Sequence, residues 1–272
     1  MRKRTMGWII FFIALFIVVV ELFPILIVVL NGFKKDIDIW SRNPFYFKPT
    51  LASYKKVFEN EDFVRGLKNS LIAASISSFV SVFFGSMASY GLSRYRFKIN
   101  DGIIFLLLLL RMVPQITLSL PFYLIFKKMG LSDNILGLSL AHISFNLPYA
   151  VALLLPFFEG IPRDFEEAAK IDGCKDFQIY WRIFFPLASA GIVVAAVFTF
   201  LMSWNEFIYA LVLTGVRAKT APVAVNGFLG QYAPLWGQLS AAGTIMLIPV
   251  FAITLGFQRY IIKGLSAGGI KG

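Results

Sequence analysis

Residues 8–31, WIIFFIALFIVVVELFPILIVVLN, carry one ionisable side chain, Glu21, in an otherwise apolar run. An α-helix rises about 1.5 Å per residue and a bilayer's hydrocarbon core is about 30 Å thick, so about 20 such residues span it. The run does not alternate as a barrel strand does, and it is far longer than the roughly 9–11 residues a strand needs. Arg2, Lys3 and Arg4 in front of it resemble the basic start of a secretory signal. The apolar run is about twice the length of a signal's core, however, and no A-x-A-like site closes it. The segment is therefore predicted to remain as a first membrane helix.

Five further runs of comparable length follow at 70–94, 102–126, 134–158, 187–213 and 239–262, each bounded by charges or turn residues. Arg94, Arg96 and Lys98 separate the second from the third, and a tight hairpin with Lys127, Lys128, Gly130 and Asp133 joins the third to the fourth. The whole chain agrees with this pattern. Of its 272 residues 58% are hydrophobic and 15% charged, against about 25% charged in a soluble domain. Lipid is therefore the main solvent, and the predicted fold is an all-α bundle of six transmembrane helices. Three segments are expected: 1–66 with the first helix and a long loop, a five-helix core at 67–262, and a tail at 263–272.

The net charge of +11 sits in the connections between apolar runs and not on one polar face, which suits contact with membrane lipid and argues against a nucleic-acid partner. Counted over the short connections, the cations mildly favour a cytoplasmic amino terminus. The lone Cys174 excludes an internal disulfide, and neither it nor the lone His142 has neighbours at metal-ligand spacing, so no metal is expected. His142 reads as a hydrogen-bonded interior residue. No Gly-Lys dipeptide occurs, so the phosphate-cradling loop of an ATP site is missing and no cofactor is expected for this chain. One histidine, no H-E-x-x-H and no paired intramembrane Asp leave no catalytic residues for an intramembrane hydrolase.

Function is concentrated in the polar segment 159–186, EGIPRDFEEAAKIDGCKDFQIYWRIFFP. Pro162 and Asp164 are helix-starting residues, Glu167 follows Asp164 at capping-box spacing, and Gly173 stands where a left-handed glycine closes a helix. The enclosed helix has about eight residues, and isolated helices below about 12–15 residues are marginal in water, so it must dock against something. Ala168 and Ala169 permit close approach, Phe165 and Ile171 are apolar knobs, and Glu166, Glu167 and Asp172 offer carboxylates to basic groups. Capping alone also accounts for Glu167 and Gly173.

The string from Glu167 to Pro186 resembles the E-A-A loop of ABC importer permeases: E-A-A, three residues, G, nine residues, I, one residue, L-P. Glu167, Ala168, Ala169, Gly173, Ile183 and Pro186 fall on it in register, with Phe185 in place of the leucine. Weaker similarities to the carbohydrate-uptake branch lie in Pro49-Thr50-Leu51 with Ser53-Tyr54, in Tyr90-Gly91-Leu92-Ser93-Arg94, in Trp204-Asn205-Glu206-Phe207, and from Gln258 to Gly272.

The resemblance implies the type I ABC importer permease fold and a subunit that is no enzyme. It implies a second permease, two cytoplasmic ATPase subunits that use ATP and Mg, and an extracytoplasmic solute-binding protein. The substrate it implies is a sugar, a di- or oligosaccharide such as maltose or trehalose, with a glycerol-phosphate or another small solute as the alternative. It also implies a cell-membrane location with both termini cytoplasmic, and a coupling helix at Glu166, Glu167, Ala168, Ala169, Asp172 and Gly173, continued by Ile183 and Pro186, on an ATPase subunit. Gly269, Lys271 and Gly272 would reach toward the ATPases, although from composition alone they form a terminal tail. Glu21, Arg111, Asn146, Trp204, Asn205 and Glu206 lie at lipid depth, where an ionisable or strongly polar group faces a cavity or a partner helix. They are the pathway candidates. The in-span prolines Pro24, Pro114, Pro121, Pro148 and Pro249 are expected to bend helices. A secondary carrier would share the bundle and the buried charges but would not require this loop.

Overall fold

The computed structural model describes residues 2–95, 99–230 and 233–269, and among them there is no β-strand. In chain order the helices are α1 (Arg2–Gly32), α2 (Asp36–Ile39), α3 (Ala52–Glu59), α4 (Glu61–Arg94), α5 (Asn100–Met112), α6 (Gln115–Lys128), α7 (Ile135–Glu159), α8 (Asp164–Ile171) and α9 (Asp176–Ile179). A π-helical turn, Tyr180–Phe184, leads into α10 (Phe185–Leu187), α11 (Ser189–Trp204), α12 (Ile208–Leu213), α13 (Ala221–Val225), a 3-10 turn and α14 (Trp236–Gly269).

Among the described residues four helices, α1, α4, α7 and α14, are long and apolar enough to cross a membrane singly. Counting each of two bent pairs as one broken span brings the number to six: α5 with α6, at 92°, and the stretch Asp176–Leu187 with α11, at 77°. The expected third span, 102–126, is thus not one straight helix. Pro114 has no N–H and forces the residue before it out of the helical region, and Val113 is accordingly extended at φ −70°, ψ 121°. Pro24, Pro121, Pro148 and Pro249 lie inside helices instead. The expected fifth span, 187–213, is interrupted at Asn205–Phe207 between α11 and α12.

The chain divides into two compact units, one of residues 1–64 with 224–248 and one of residues 65–223 with 249–272. In the first, the rings of Phe33 and Tyr54 lie 4.8 Å apart and those of Phe63 and Phe228 5.9 Å apart. Lys34 is buried there, donating to Asn31 Oδ1 at 2.8 Å with its ammonium 5.1 Å from the Phe47 ring centre. Apolar clusters of described residues pack the second unit. One gathers Val82, Tyr90, Leu154, Phe158, Ile179, Tyr180 and Phe184, and another gathers Ala73, Leu138, Ala141, Tyr209, Ala210 and Leu213. Helix α7 contributes to both, so it runs from one end of this unit to the other.

Candidate functional site

Helix α8 has the predicted length, but the capping box does not form. Arg163 is the N-cap, in helical conformation and without a side-chain cap bond; its carbonyl accepts from the Glu166 and Glu167 amides at 2.8 and 3.1 Å. With helical geometry already at Arg163, Asp164 lies inside the first turn and cannot reach back as a cap. The far end closes as predicted. Gly173 has φ +80°, the Cys174 N–H donates to Ala169 O at 2.9 Å and the Gly173 N–H to Lys170 O at 3.1 Å. This pair of bonds is a Schellman motif, which needs a left-handed residue at the glycine position.

The helix docks by one residue and presents the rest. Ala169 is 4% exposed and belongs to the apolar cluster with Tyr90, Phe158, Ile179 and Phe184. Ile171 is 87% and Phe165 48% exposed; Glu167, Ala168, Asp172 and Gly173 are exposed as well. Glu166 is engaged with Lys170 at 2.6 Å across one turn, and that bond holds the Lys170 ammonium above its usual range. Ile183 lies half-buried in the π-helical turn, and Pro186 is exposed beyond it.

The seat under α8 is built from residues of α4 and the π-helical turn that the loop pattern does not include. Ser86 bonds Tyr180 Oη at 2.7 Å, the Tyr90 ring lies 5.3 Å from that of Tyr180 and 5.1 Å from that of Phe184, and Arg94 donates to the carbonyls of Phe158 and Ile161. Just beyond α4, the Tyr95 hydroxyl donates to Asp176 Oδ2 at 2.8 Å, and this bond to a carboxylate raises the phenol's pKa. The four-residue spacing of Ser86, Tyr90 and Arg94 was the available signal, because it places them on one helical stripe.

Deeper in the same unit a polar cluster joins α4, α7 and the α11–α12 break. Glu206 accepts from the Tyr209 and Ala210 amides at 2.7 and 3.0 Å and meets His142 Nε2 at 3.2 Å. The other ring nitrogen of His142 contacts Ser203 Oγ, which lies 2.8 Å from Ser77 Oγ. Asn146 donates to Thr199 O at 3.1 Å and to Ser77 Oγ at 3.4 Å. His142 is thus a hydrogen-bonded interior residue. Glu206 replaces backbone carbonyls as acceptor for the first amides of α12, which lets the fifth span break without leaving those donors unsatisfied.

An open cavity of about 650 Å³ lies beside the break, lined by Gln115, Tyr149, Asn205, Glu206 and aromatic rings. A neighbouring one shares Gln115, Phe145, Tyr149 and Met202 with it and adds Arg111, whose guanidinium stacks 4.2 Å from the Tyr149 ring centre. Of the pathway candidates, Asn205 and Glu206 line the first cavity and Arg111 the second, and the shared residues make the two an adjoining trough. Trp204 is 1% exposed and stacks on Phe200, so its face is not offered to the trough, and Asn146 is fully buried. Glu21 is exposed on α1. Gly269 ends α14, and Lys271 and Gly272 lie outside the described residues.

At the opposite end of α7 from α8, Asp133 holds a loop. Its carboxylate accepts from the Gly215, Val216, Arg217 and Ala218 amides at 2.7–3.1 Å. Burial pushes its pKa up, but the four N–H groups together outweigh this and bring it below the usual value.

Comparison with known proteins places this arrangement. The family model described as "Binding-protein-dependent transport system inner membrane component" matches residues 81–267. The trehalose transport permease SugB of Mycobacterium tuberculosis is 38% identical over 226 residues, covering 82% of each chain. The trehalose/maltose permease MalG of Thermococcus litoralis is 33% identical over 277 residues, covering 100% of each. Among solved structures, a chain of a bacterial ABC transporter that imports alginate shares the fold at a TM-score of 0.77 and 21% identity, over 95% of this chain and 97% of that one. From its sequence and its architecture alike, this chain belongs to the family of inner-membrane permease components of binding-protein-dependent ABC transport systems.

Proposed function

We propose that the chain is one of two permease subunits of an ATP-driven sugar importer, that α8 is its coupling helix on a cytoplasmic ATPase subunit, and that both chain termini are cytoplasmic. The observation that carries this reading is the division of α8: one small residue, Ala169, is sunk in the bundle, while Phe165, Ala168, Ile171 and the carboxylate of Glu167 remain exposed. A short helix with an apolar outward surface and an exposed carboxylate suits a cleft with a basic residue in a second protein. Helix α1 supports a second permease, since none of its apolar stretch is buried and Glu21 within it is exposed. A carboxylate at lipid depth favours a partner helix or a cavity.

The trough at Arg111, Gln115, Tyr149 and Asn205 is proposed as this subunit's share of the solute pathway, since amides and ring faces suit sugar hydroxyls and sugar rings. Relatives named for trehalose and for trehalose/maltose support a di- or oligosaccharide as substrate. The extracytoplasmic binding protein would deliver it at the Asp133 end. Within the assembly the ATPase pair alone hydrolyses ATP, using Mg, and its closure would shift α8 between two states of the bundle.

The test is the assembled complex with its binding protein in nanodiscs. ATP hydrolysis is expected to rise when the binding protein carries trehalose or maltose, and Glu167→Ala is expected to reduce recovery of the ATPase subunits with the permeases. Full recovery with E167A, and with a second variant replacing Phe165, Ala168 and Ile171 by serine, would overturn the coupling assignment. Stimulation by neither disaccharide would overturn the substrate assignment.

A further inference from the structure

Force applied at α8 has to enter the membrane bundle, and the corner that connects α8 to α7 is poorly suited to carry it. Between Glu159 and Asp164 the chain passes through Gly160, Ile161, Pro162 and Arg163, outside any helix; the Gly160 and Ile161 amides bond back to α7 at 3.0 and 3.3 Å, and Ile161 packs on the cluster that holds Phe158 and Ala169, but no regular helix carries the chain through the corner. A turn of this kind absorbs displacement by small φ/ψ changes, as hinges do. Something else must stiffen it if α8 is to move the bundle.

Arg94 sits at that corner. It is the last residue of α4 and only 7% exposed; among the described residues it forms no direct ion pair, though it feels the charge of Glu166. One guanidinium nitrogen donates to both Phe158 O and Ile161 O, the latter at 2.7 Å, so it bridges the last turn of α7 and the corner itself. The plane of charge also lies 4.3 Å from the centre of the Phe184 ring in the π-helical turn. A buried cation is costly unless its donors are used; here one nitrogen makes both bonds while Nε is buried without a hydrogen-bond partner among the described residues, and the charge also meets the negative end of the α7 dipole. Tyr90 and Ser86, one and two turns back along α4, contact Tyr180 and Phe184 of the same π-helical turn. The stripe Ser86-Tyr90-Arg94 thus ties α4 to the corner at one end and to the root of the fifth span along its length.

We propose that Arg94 is a positioning residue for coupling: by clamping the α7–α8 corner to the end of α4 it makes α8 and the adjoining half of α4 move as one body. The inference rests on the reading of α8 as the coupling helix. The role belongs to the arginine and not to any surface of α8, so an ATPase subunit would still dock when Arg94 is replaced. A methionine keeps the stem and removes every donor. A lysine supplies a compact cation able to reach the carbonyls but not the planar contact with Phe184.

The experiment uses the complete complex in nanodiscs, with Cys174→Ala as background and nitroxides at Phe84→Cys, on the exposed side of α4, and Lys170→Cys, on the flank of α8. With Arg94 present, ATP is expected to leave the interspin distance within about 2 Å of its nucleotide-free value, the scale of small helix shifts. In Arg94→Met the ATPase subunits are expected to remain bound while the distance distribution broadens and shifts on ATP addition by more than that; Arg94→Lys is expected to restore most of the narrow distribution. An ATP-dependent shift with Arg94 in place, or an R94M distribution identical to that of the parent, would overturn the proposal. Loss of the ATPase subunits in R94M while R94K keeps them would also overturn it, by making Arg94 part of docking. If R94M does not assemble, Phe184→Leu keeps the carbonyl clamp and removes the ring under it; an unchanged distribution there overturns the proposal, and broadening supports it. Independent failure of the coupling reading would appear instead as ATPase subunits retained by E167A and by the serine-faced α8.

Discussion

At the scale of single residues, Glu206 shows how a membrane-depth carboxylate can be structural and still border a pathway. Its two oxygens serve two backbone amides and one imidazole, so Glu206→Gln removes acceptor capacity from a buried site without changing its size. Leaving a buried donor unpaired costs about 1–3 kcal/mol; a lowered thermal midpoint of the purified complex is the expected result, and an unchanged one would show that the α12 amides have another acceptor. Asp133 makes the same kind of grip outside the membrane segments, on four amides of residues 215–218. Its depressed pKa means that this stabilisation is full above the unfolded carboxyl value of about 3.9 and is lost as pH falls through the lower folded value. The difference in thermal midpoint between the parent and Asp133→Asn is therefore expected to hold steady from neutral pH down to about pH 5 and to shrink below about pH 4. Both residues were visible in the sequence as charges in or beside spans. Their partners were not, because His142 lies 64 positions from Glu206 and the amides held by Asp133 lie 82 to 85 positions away.

At the scale of elements, α8 was readable almost to the residue. Its start at Asp164 and its glycine stop depend on local chemistry: Gly173 alone can take φ +80° without cost, and a Cβ there would meet nothing within 4 Å. Gly173→Ala is thus expected to cost about 1–2 kcal/mol of helix-end stability through backbone strain alone. Gly173→Asn, which tolerates the left-handed region, should recover part of it; faster amide exchange in α8 of the alanine variant is the measurement. Ala169→Leu tests packing instead. Its position is sealed by the cluster, so the larger side chain is expected to cost about 1–3 kcal/mol and to reduce ATPase recovery, whereas Ala168→Leu on the exposed side leaves the fold intact. The broken elements were less legible. Pro114 marked the corner between α5 and α6, but Pro24, Pro121, Pro148 and Pro249 carry the same local signal and stay within helices. A proline's effect depends on whether the surrounding packing allows the chain to turn there.

At the scale of the whole molecule, α7 sets apart the two ends of the larger unit. Its 25 residues extend about 37 Å at 1.5 Å per residue, enough to cross the hydrocarbon core. A membrane-impermeant thiol reagent is accordingly expected to label Ile171→Cys and Val216→Cys from opposite faces of sealed vesicles, in a Cys174→Ala background. Labelling of both from one face would exclude α7 as a span and remove α8 from reach of the ATPases. The number of spans, the helical class and the place of the exposed loop were set by the order of apolar and polar residues along the chain, since hydrocarbon leaves a backbone of this length no alternative to internal hydrogen bonding. Which polar groups meet inside, which candidate ring faces a cavity and which is sealed, and that Arg94 donates to the carbonyls of Phe158 and Ile161 were settled only by packing. Those contacts join segments far apart in the chain, and no local pattern constrains which of many possible neighbours a buried side chain will find.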